Sequence, residues 1–331
     1  LSAYLRDFEP SNAWNAPSRR GLADALAQAV RQSESGYMNS LADFIEAHPA
    51  YQQAVLSGIR GRWVEDKTSV DWVKVLHFAH EIVLSAQFIA GAREDATVFN
   101  EPTHHWVARE VADLIQAGIS EEERTIPQDL LGLASAILIG IARAYPPAPA
   151  EAGADAVSNA INRPRGRALE SIIRLLLHAR ALHDKGLSAS PTWEDLREFF
   201  DEELVLSEAG NNADFAAHLG VYLPNMRYLA EDWVERNFDR IFSQESQAAW
   251  ACAAQGFAYQ RTLYDWLYTA LKDGGHLARM LARDGLPDTV TDKAIQFVAL
   301  AYLHGTETLS EARVSLIGEL LRGRRVDDYA K

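Results

Sequence analysis

Apolar positions recur along this chain at spacings of three and four, and the alternation of a half-buried strand is nearly absent. The clearest instance is 164–182, where Leu169, Ile172, Ile173, Leu176 and Leu177 form the i, i+3, i+4, i+7, i+8 stripe of a helix with one buried face. Pro164 suits the first turn of that helix, because its missing N–H would have had no intrahelical partner there. The same reading predicts helices over about 19–34, 38–47, 50–60, 69–91, 104–118, 127–144, 164–185, 192–203, 211–221, 224–237, 245–255, 259–283, 290–304 and 308–322. His48-Pro49, Glu101-Pro102, Ile126-Pro127, Ser190-Pro191 and Leu286-Pro287 punctuate the connections, since the residue before proline avoids the helical region. Asp273-Gly274-Gly275 predicts a break or sharp bend inside the 259–283 segment.

One stretch has no stripe: Pro146-Pro147-Ala148-Pro149-Ala150-Glu151-Ala152-Gly153 reads as a long loop or short linker over 146–156. It separates an N-terminal helical half, 1–145, from a C-terminal helical half, 157–331. Long helices joined by short loops imply antiparallel helix pairs packed side by side. No repeat of about 34 residues is visible, whereas degenerate two-helix repeats of about 40–47 residues fit. The expectation is an all-α, HEAT-like α-solenoid of antiparallel helix pairs. Trp72, Trp233 and Trp266 fall at helical spacing among apolar neighbours and read as packing residues; solvent exposure would mark a tryptophan as a binding anchor instead.

Composition narrows the function classes. Hydrophobic content of 48% with 24% charged residues is that of a globular chain and too apolar for disorder. A net charge of −14 opposes generic nucleic-acid binding, which draws its affinity from cations on phosphates, although it permits a local basic patch. The lone Cys252 can form no internal disulfide and no multi-cysteine zinc site, so it reads as a small buried apolar residue in a protein of the reducing cytoplasm. The longest apolar run, Leu130 to Ala142, is shorter than the about 20 residues of a membrane helix, so no membrane association is expected. The chain begins at Leu1 without methionine and reads as a piece of a longer protein.

Candidate chemistry is sparse. His77, His80 and Glu81 share a helix, but the order His-x-x-His-Glu is not that of the zinc-protease helix, and the apolar run around them favours a core role. Glu101-x-x-His104 has di-iron spacing in a single copy, and such sites need two copies plus two further glutamates. His178 with His183-Asp184 lacks the separate histidine donor of a metal phosphohydrolase. Serine nucleophile elbows, glycine-rich phosphate loops and paired cysteines are missing, so no catalytic, metal or cofactor residue is nominated. The acidic runs Glu121-Glu122-Glu123 and Asp201-Glu202-Glu203 read as solvated faces. Arg322, Arg324 and Arg325 close the last helix, where the dipole favours cations. Arg163, Arg165 and Arg167, with Arg174 further along, instead open a helix, where the dipole disfavours them. They either pair with carboxylates of a neighbouring repeat or contact a partner, which makes Asn162, Arg163, Arg165, Arg167 and Arg174 the candidate partner-binding residues.

Two segments carry a likeness: Ala160-Ile161-Asn162-Arg163-Pro164-Arg165-Gly166-Arg167-Ala168-Leu169-Glu170, and Tyr222-Leu223-Pro224-Asn225-Met226-Arg227-Tyr228-Leu229-Ala230-Glu231-Asp232-Trp233 running on to Phe242, with Ala248-Ala249-Trp250. Together they resemble the C-terminal helical repeats of large bacterial antiphage defence proteins, the STAND-type NTPases and sirtuin-type NADases. The resemblance implies a recognition or scaffold arm that binds a protein trigger such as a phage protein and adjoins further domains of the same chain. Catalysis would then reside in a module outside this sequence. The alternatives are a nucleic-acid-binding helical-repeat protein, with Arg163, Arg165 and Arg167 on phosphates, and a helical metalloenzyme using His77, His80 or His104.

Overall fold

The computed structural model describes residues 4–5, 7–10, 16–33, 37–66, 70–93, 102–120, 124–282, 285–309 and 315–322. Among them every regular element is helical: α1 Arg19–Gln32, α2 Pro49–Glu65, α3 Trp72–Leu84, α4 Ala86–Gly91, α5 His104–Ile119, α6 Leu131–Ala144, α7 Ala156–Asn162, α8 Pro164–Asp184, α9 Trp193–Glu208, α10 Ala213–Leu229, α11 Glu231–Ile241, α12 Gln247–Phe257, α13 Asp265–Asp273, α14 His276–Leu281, α15 Asp288–His304 and α16 Leu316–Arg322. The chain is all-α, and no described helix is long and apolar enough to cross a membrane. The run Glu121-Glu122-Glu123, Glu101, Arg324 and Arg325 lie outside the described residues.

Two compact units form, residues 1–146 with 161–197 and residues 147–160 with 198–331. The sequence reading placed one linear boundary at 146–156, whereas the chain passes between units three times. The cause lies in the backbone of the Pro/Ala-rich stretch, which is tied into the second unit rather than left as a tether. Ala150 N–H donates to Gly210 O and Ala213 N–H donates to Ala148 O, both at 2.8 Å. Gln255 clamps the same stretch, accepting from Ala156 N–H at 2.9 Å and donating to Ala154 O at 3.0 Å. Behind it Ala156, Val157 and Ala160 of the short α7 pack against Ala213, Ala216, Ala217 and the buried Cys252.

In the first unit, successive contacts give the helix directions. Gly58 lies against Ala27 and Val30, and Arg31 pairs with Glu65, so α1 and α2 run parallel. Arg60 meets Glu110 while Trp63 donates to Ala117 O at 2.9 Å, so α2 and α5 also run parallel. Asp113 meets Arg167 and Gln116 donates to Ser171 Oγ at 2.8 Å, which extends the parallel row to α8. Between these helices the chain returns through α3 and α6. Trp72 starts α3 against Gly118 at the end of α5, Gly140 of α6 lies against Val83, and the end of α6 meets the start of α8.

In the second unit α10 and α12 cross at glycines. A Cβ on Gly220 would overlap the Ala253 carbonyl, and one on Gly256 would overlap the Ala217 carbonyl, so only glycine admits this approach. Pro224 predicts a helix boundary, yet α10 continues through it to Leu229. Proline leaves the carbonyl four residues earlier without its N–H partner. Here Gln260 Nε2 donates to Gly220 O at 2.8 Å and to Val221 O at 2.7 Å, supplying what the helix lost. Gln260→Leu is therefore expected to cost about 1–3 kcal/mol by leaving these buried acceptors unsatisfied, read as a lower midpoint in urea unfolding.

Other differences have equally local causes. The predicted 69–91 helix breaks at Ser85, whose extended backbone and Oγ cap Phe88 N–H at 3.1 Å and restart the chain as α4. The 38–47 segment is only a 3-10 turn at Leu41–Phe44. The break expected at Asp273-Gly274-Gly275 is present, with α13 ending at Asp273 and α14 starting after left-handed Gly275. The acidic run Asp201-Glu202-Glu203 is not a solvated face throughout. Asp201 accepts from the Trp233 indole at 2.7 Å and buried Glu203 accepts from Asn212 at 2.5 Å, which leaves Glu202 exposed.

A second buried carboxylate, Glu307, holds the C-terminal helix. It accepts from Tyr268 Oη at 2.6 Å, from Lys272 Nζ at 2.9 Å and from Leu316 N–H at 2.9 Å. Burial alone would raise its pKa, but the Tyr268 hydroxyl, the Lys272 ammonium and Ser315 outweigh that and hold it below the ordinary carboxylate value.

Candidate functional site

The helix opening at Pro164 forms as the sequence predicts, with Arg163 in extended conformation as its N-cap and Pro164 in the first turn. Asn162 is exposed and Arg163 half-buried, both beside that N-terminus. Arg165 departs from the partner-binding expectation. It is 5% exposed, and its Nη1 donates to Ala142 O and, at 3.1 Å, to Tyr145 O at the end of α6. The apparent conflict with the dipole of its own helix is resolved by the antiparallel neighbour. A cation at the start of α8 sits at the C-terminus of α6, where unsatisfied carbonyls and the negative dipole end favour it. Arg165 is a buried helix cap, not a surface contact.

Arg167 and Arg174 belong to a different arrangement. Arg167 Nε meets Asp113 at 2.5 Å and its Nη1 meets Glu170 at 2.5 Å, while Arg174 Nη2 reaches Glu170 at 2.9 Å. One helix over, Arg60 meets Glu110 at 2.5 Å and Gln53 donates to the same carboxylate at 3.3 Å. The result is a polar ladder across α2, α5 and α8, with Gln53 and Arg60 two turns apart on α2, Glu110 and Asp113 three apart on α5, and Arg167, Glu170 and Arg174 three and four apart on α8. Glu110 and Glu170 are buried beneath it, whereas Arg174 is half exposed. Donating to the Glu110 carboxylate raises the Arg60 pKa against burial. For Arg167 burial pulls downward, and Asp113 with Glu170 overcomes it.

The ladder is close to electroneutral, because Arg60, Arg167 and Arg174 face Glu110, Asp113 and Glu170. The sequence reading missed an exposed aromatic on α5, the helix that supplies Glu110 and Asp113. Trp106, in the first turn of α5, is 58% exposed, and it precedes Glu110, Asp113 and Gln116 on one helical stripe. Exposure separates it from Trp72 and Trp233, which are buried, and from Trp266, which lies half-buried with the Arg227 guanidinium 4.5 Å above its ring. A sequence signal existed: Trp106, Glu110 and Asp113 are spaced four and three apart. It reads equally well as a buried stripe until the neighbours are known.

The histidines do not converge. His77 is exposed and His80 half-buried, which corrects the core role expected of them; the apolar face of α3 is instead Trp72, Val75, Leu76, Ala79, Ile82 and Val83. His104 packs edge-on against Phe88, with ring centroids 5.8 Å apart. His178 Nε2 lies 3.1 Å from Thr125 Oγ1; burial first, and Lys185 second, lower its pKa. His183 is exposed, and Asp184 pairs with Arg180 at 2.8 Å. Among the described residues no three His, Cys, Asp or Glu side chains are placed to hold a metal ion. No protein-family model matches this chain, and neither a curated protein nor a solved structure matches it.

Proposed function

We propose that this chain is a non-catalytic, protein-binding helical-repeat segment whose recognition face is the α2–α5–α8 ladder, with Trp106 as its anchor. The observation that carries the reading is the 58% exposure of Trp106 on α5, the helix that supplies Glu110 and Asp113 to the ladder. A large aromatic left in water beside polar, pre-ordered neighbours is the composition of an interface hot spot and its rim. The parallel row of α1, α2, α5 and α8, with α3 and α6 returning between them, supports a HEAT-like stack as the scaffold. On this reading the segment is a sensor or scaffold arm in the cytoplasm of a bacterial defence protein, and its partner is a protein such as a phage component.

Nucleic acid is a poorer occupant of this face. Each ladder arginine already faces a carboxylate, so phosphate binding would have to break these pairs instead of releasing counterions. The test is Trp106→Ala and Arg174→Glu in the purified chain, assayed for capture of protein from phage-infected host lysate against uninfected lysate. Trp106→Ala is expected to reduce capture by at least about tenfold, as hot-spot truncations of about 2 kcal/mol do, while leaving the melting temperature unchanged. Capture that is undiminished in both variants would dismiss this face.

A further inference from the structure

His276 is a buried ionisable side chain whose surroundings favour its neutral form. It is 2% exposed and opens α14 directly after left-handed Gly275. Its ring stacks on Phe242, the residue that follows α11, with centroids 5.0 Å apart and planes 29° apart, and Phe238 of α11 lies 6.1 Å away. From α12, Trp250 Nε1–H donates to His276 Nδ1 at 3.2 Å. That bond fixes the tautomer with its proton on Nε2, which is buried and has no hydrogen-bond partner. Two charged groups act on the ring: Asp239 of α11 favours a charged form, and Arg279 of α14 opposes it. The Arg279 guanidinium lies 3.8 Å over the Trp250 ring, so the box already holds one cation. Lys272, at the end of α13, is committed to Glu307. Burial leads Arg279 in pulling the His276 pKa below its ordinary value, and Asp239 only partly offsets this.

We propose that His276 is an acid-sensitive latch that fastens α14 to α11 and α12 while neutral and releases it on protonation. A proton from solvent would occupy Nδ1, the atom that accepts the Trp250 N–H, so two donors would face each other. The new charge would also sit between aromatic rings and beside Arg279. Burying it there costs more than leaving the box, so α14 opens while the glycine crossing of α10 and α12 stays closed. The sign follows from linkage. The open state protonates at about the ordinary histidine value, the closed state only at lower pH, so opening becomes more favourable as pH falls through that window. With one proton coupled, the opening constant rises about tenfold per pH unit.

The experiment is hydrogen exchange of the whole chain from pH 7.5 to 4.5, corrected for intrinsic exchange, with the Trp250 indole resonance followed in parallel. Protection of 276–281 is expected to begin falling near pH 6.5, about tenfold per unit, while protection of 213–229 and 247–257 holds. The Trp250 indole resonance should move over the same range. His276→Gln keeps an acceptor and cannot titrate, so its α14 should show no such fall. Asp239→Asn leaves the onset where it is, set by the open state, and should extend the fall to lower pH, because it removes the carboxylate that favours the charge in the closed state. A fall that persists in His276→Gln, or a wild type in which α14 and α10 lose protection together, would overturn the latch.

Discussion

Gly220→Ala and Gly256→Ala are each expected to destabilise the second unit by about 3 kcal/mol, the upper end of the usual cost of overpacking. The reason is what the added methyl would meet. Overlap with the end of a flexible side chain can relax, but here the Ala253 and Ala217 backbone carbonyls stand in the way. Separating the helices to make room would also strain the small-residue packing of Ala213, Ala216, Ala217 and Cys252. Urea unfolding followed by far-ultraviolet circular dichroism measures the loss. Gly132→Ala is the control, because nothing lies within 4 Å of its Cβ. There the reduced freedom of the unfolded chain should stabilise the protein by about 0.5–1 kcal/mol.

Arg165→Met should cost about 3 kcal/mol, whereas Arg174→Ala, nine residues later on the same helix, should fall within about 1 kcal/mol of wild type. Methionine approximates the aliphatic stem of arginine but cannot donate, so the Ala142 and Tyr145 carbonyls at the end of α6 lose a charged donor inside the core. Each buried acceptor left unsatisfied costs about 1–3 kcal/mol. Arg174 is half exposed, and its pairing with Glu170 is an exposed i, i+4 contact on one side, where solvent screens most of the gain. Thermal unfolding of the two variants beside wild type measures the difference. Equal losses would mean that Arg165 does not cap α6.

The helices themselves were legible because burial imposes a period on sequence, and the start of α8 was legible because Pro164 states its own position. What misled was chemistry supplied from elsewhere in the chain. Pro224 ends a helix in isolation, and only Gln260, far along the sequence, lets α10 continue through it. The division into units was obscured for the same reason, since a Pro/Ala-rich stretch looks like a tether until Gln255 and Gly210 are seen to bind it. At the candidate site the arginines were visible as a group, but their separation into a buried cap and a surface ladder depends on which neighbours meet α8. Arg165 meets the end of α6, and Arg167 meets Asp113 of α5. Trp106 shows the limit from the other side, because a helical stripe announces that a face exists without saying whether anything covers it.

Site-specific photocrosslinking tests the central claim most directly. A benzoylphenylalanine placed at Trp106, with a second at exposed Val205 of α9 as control, would be illuminated with the chain in infected host lysate. The account predicts one discrete crosslinked protein at position 106 that is missing at 205 and is lost when Arg174→Glu is added. Crosslinks at 205 but not at 106, or equal crosslinking at both, would contradict the assignment of the α2–α5–α8 face as the recognition surface.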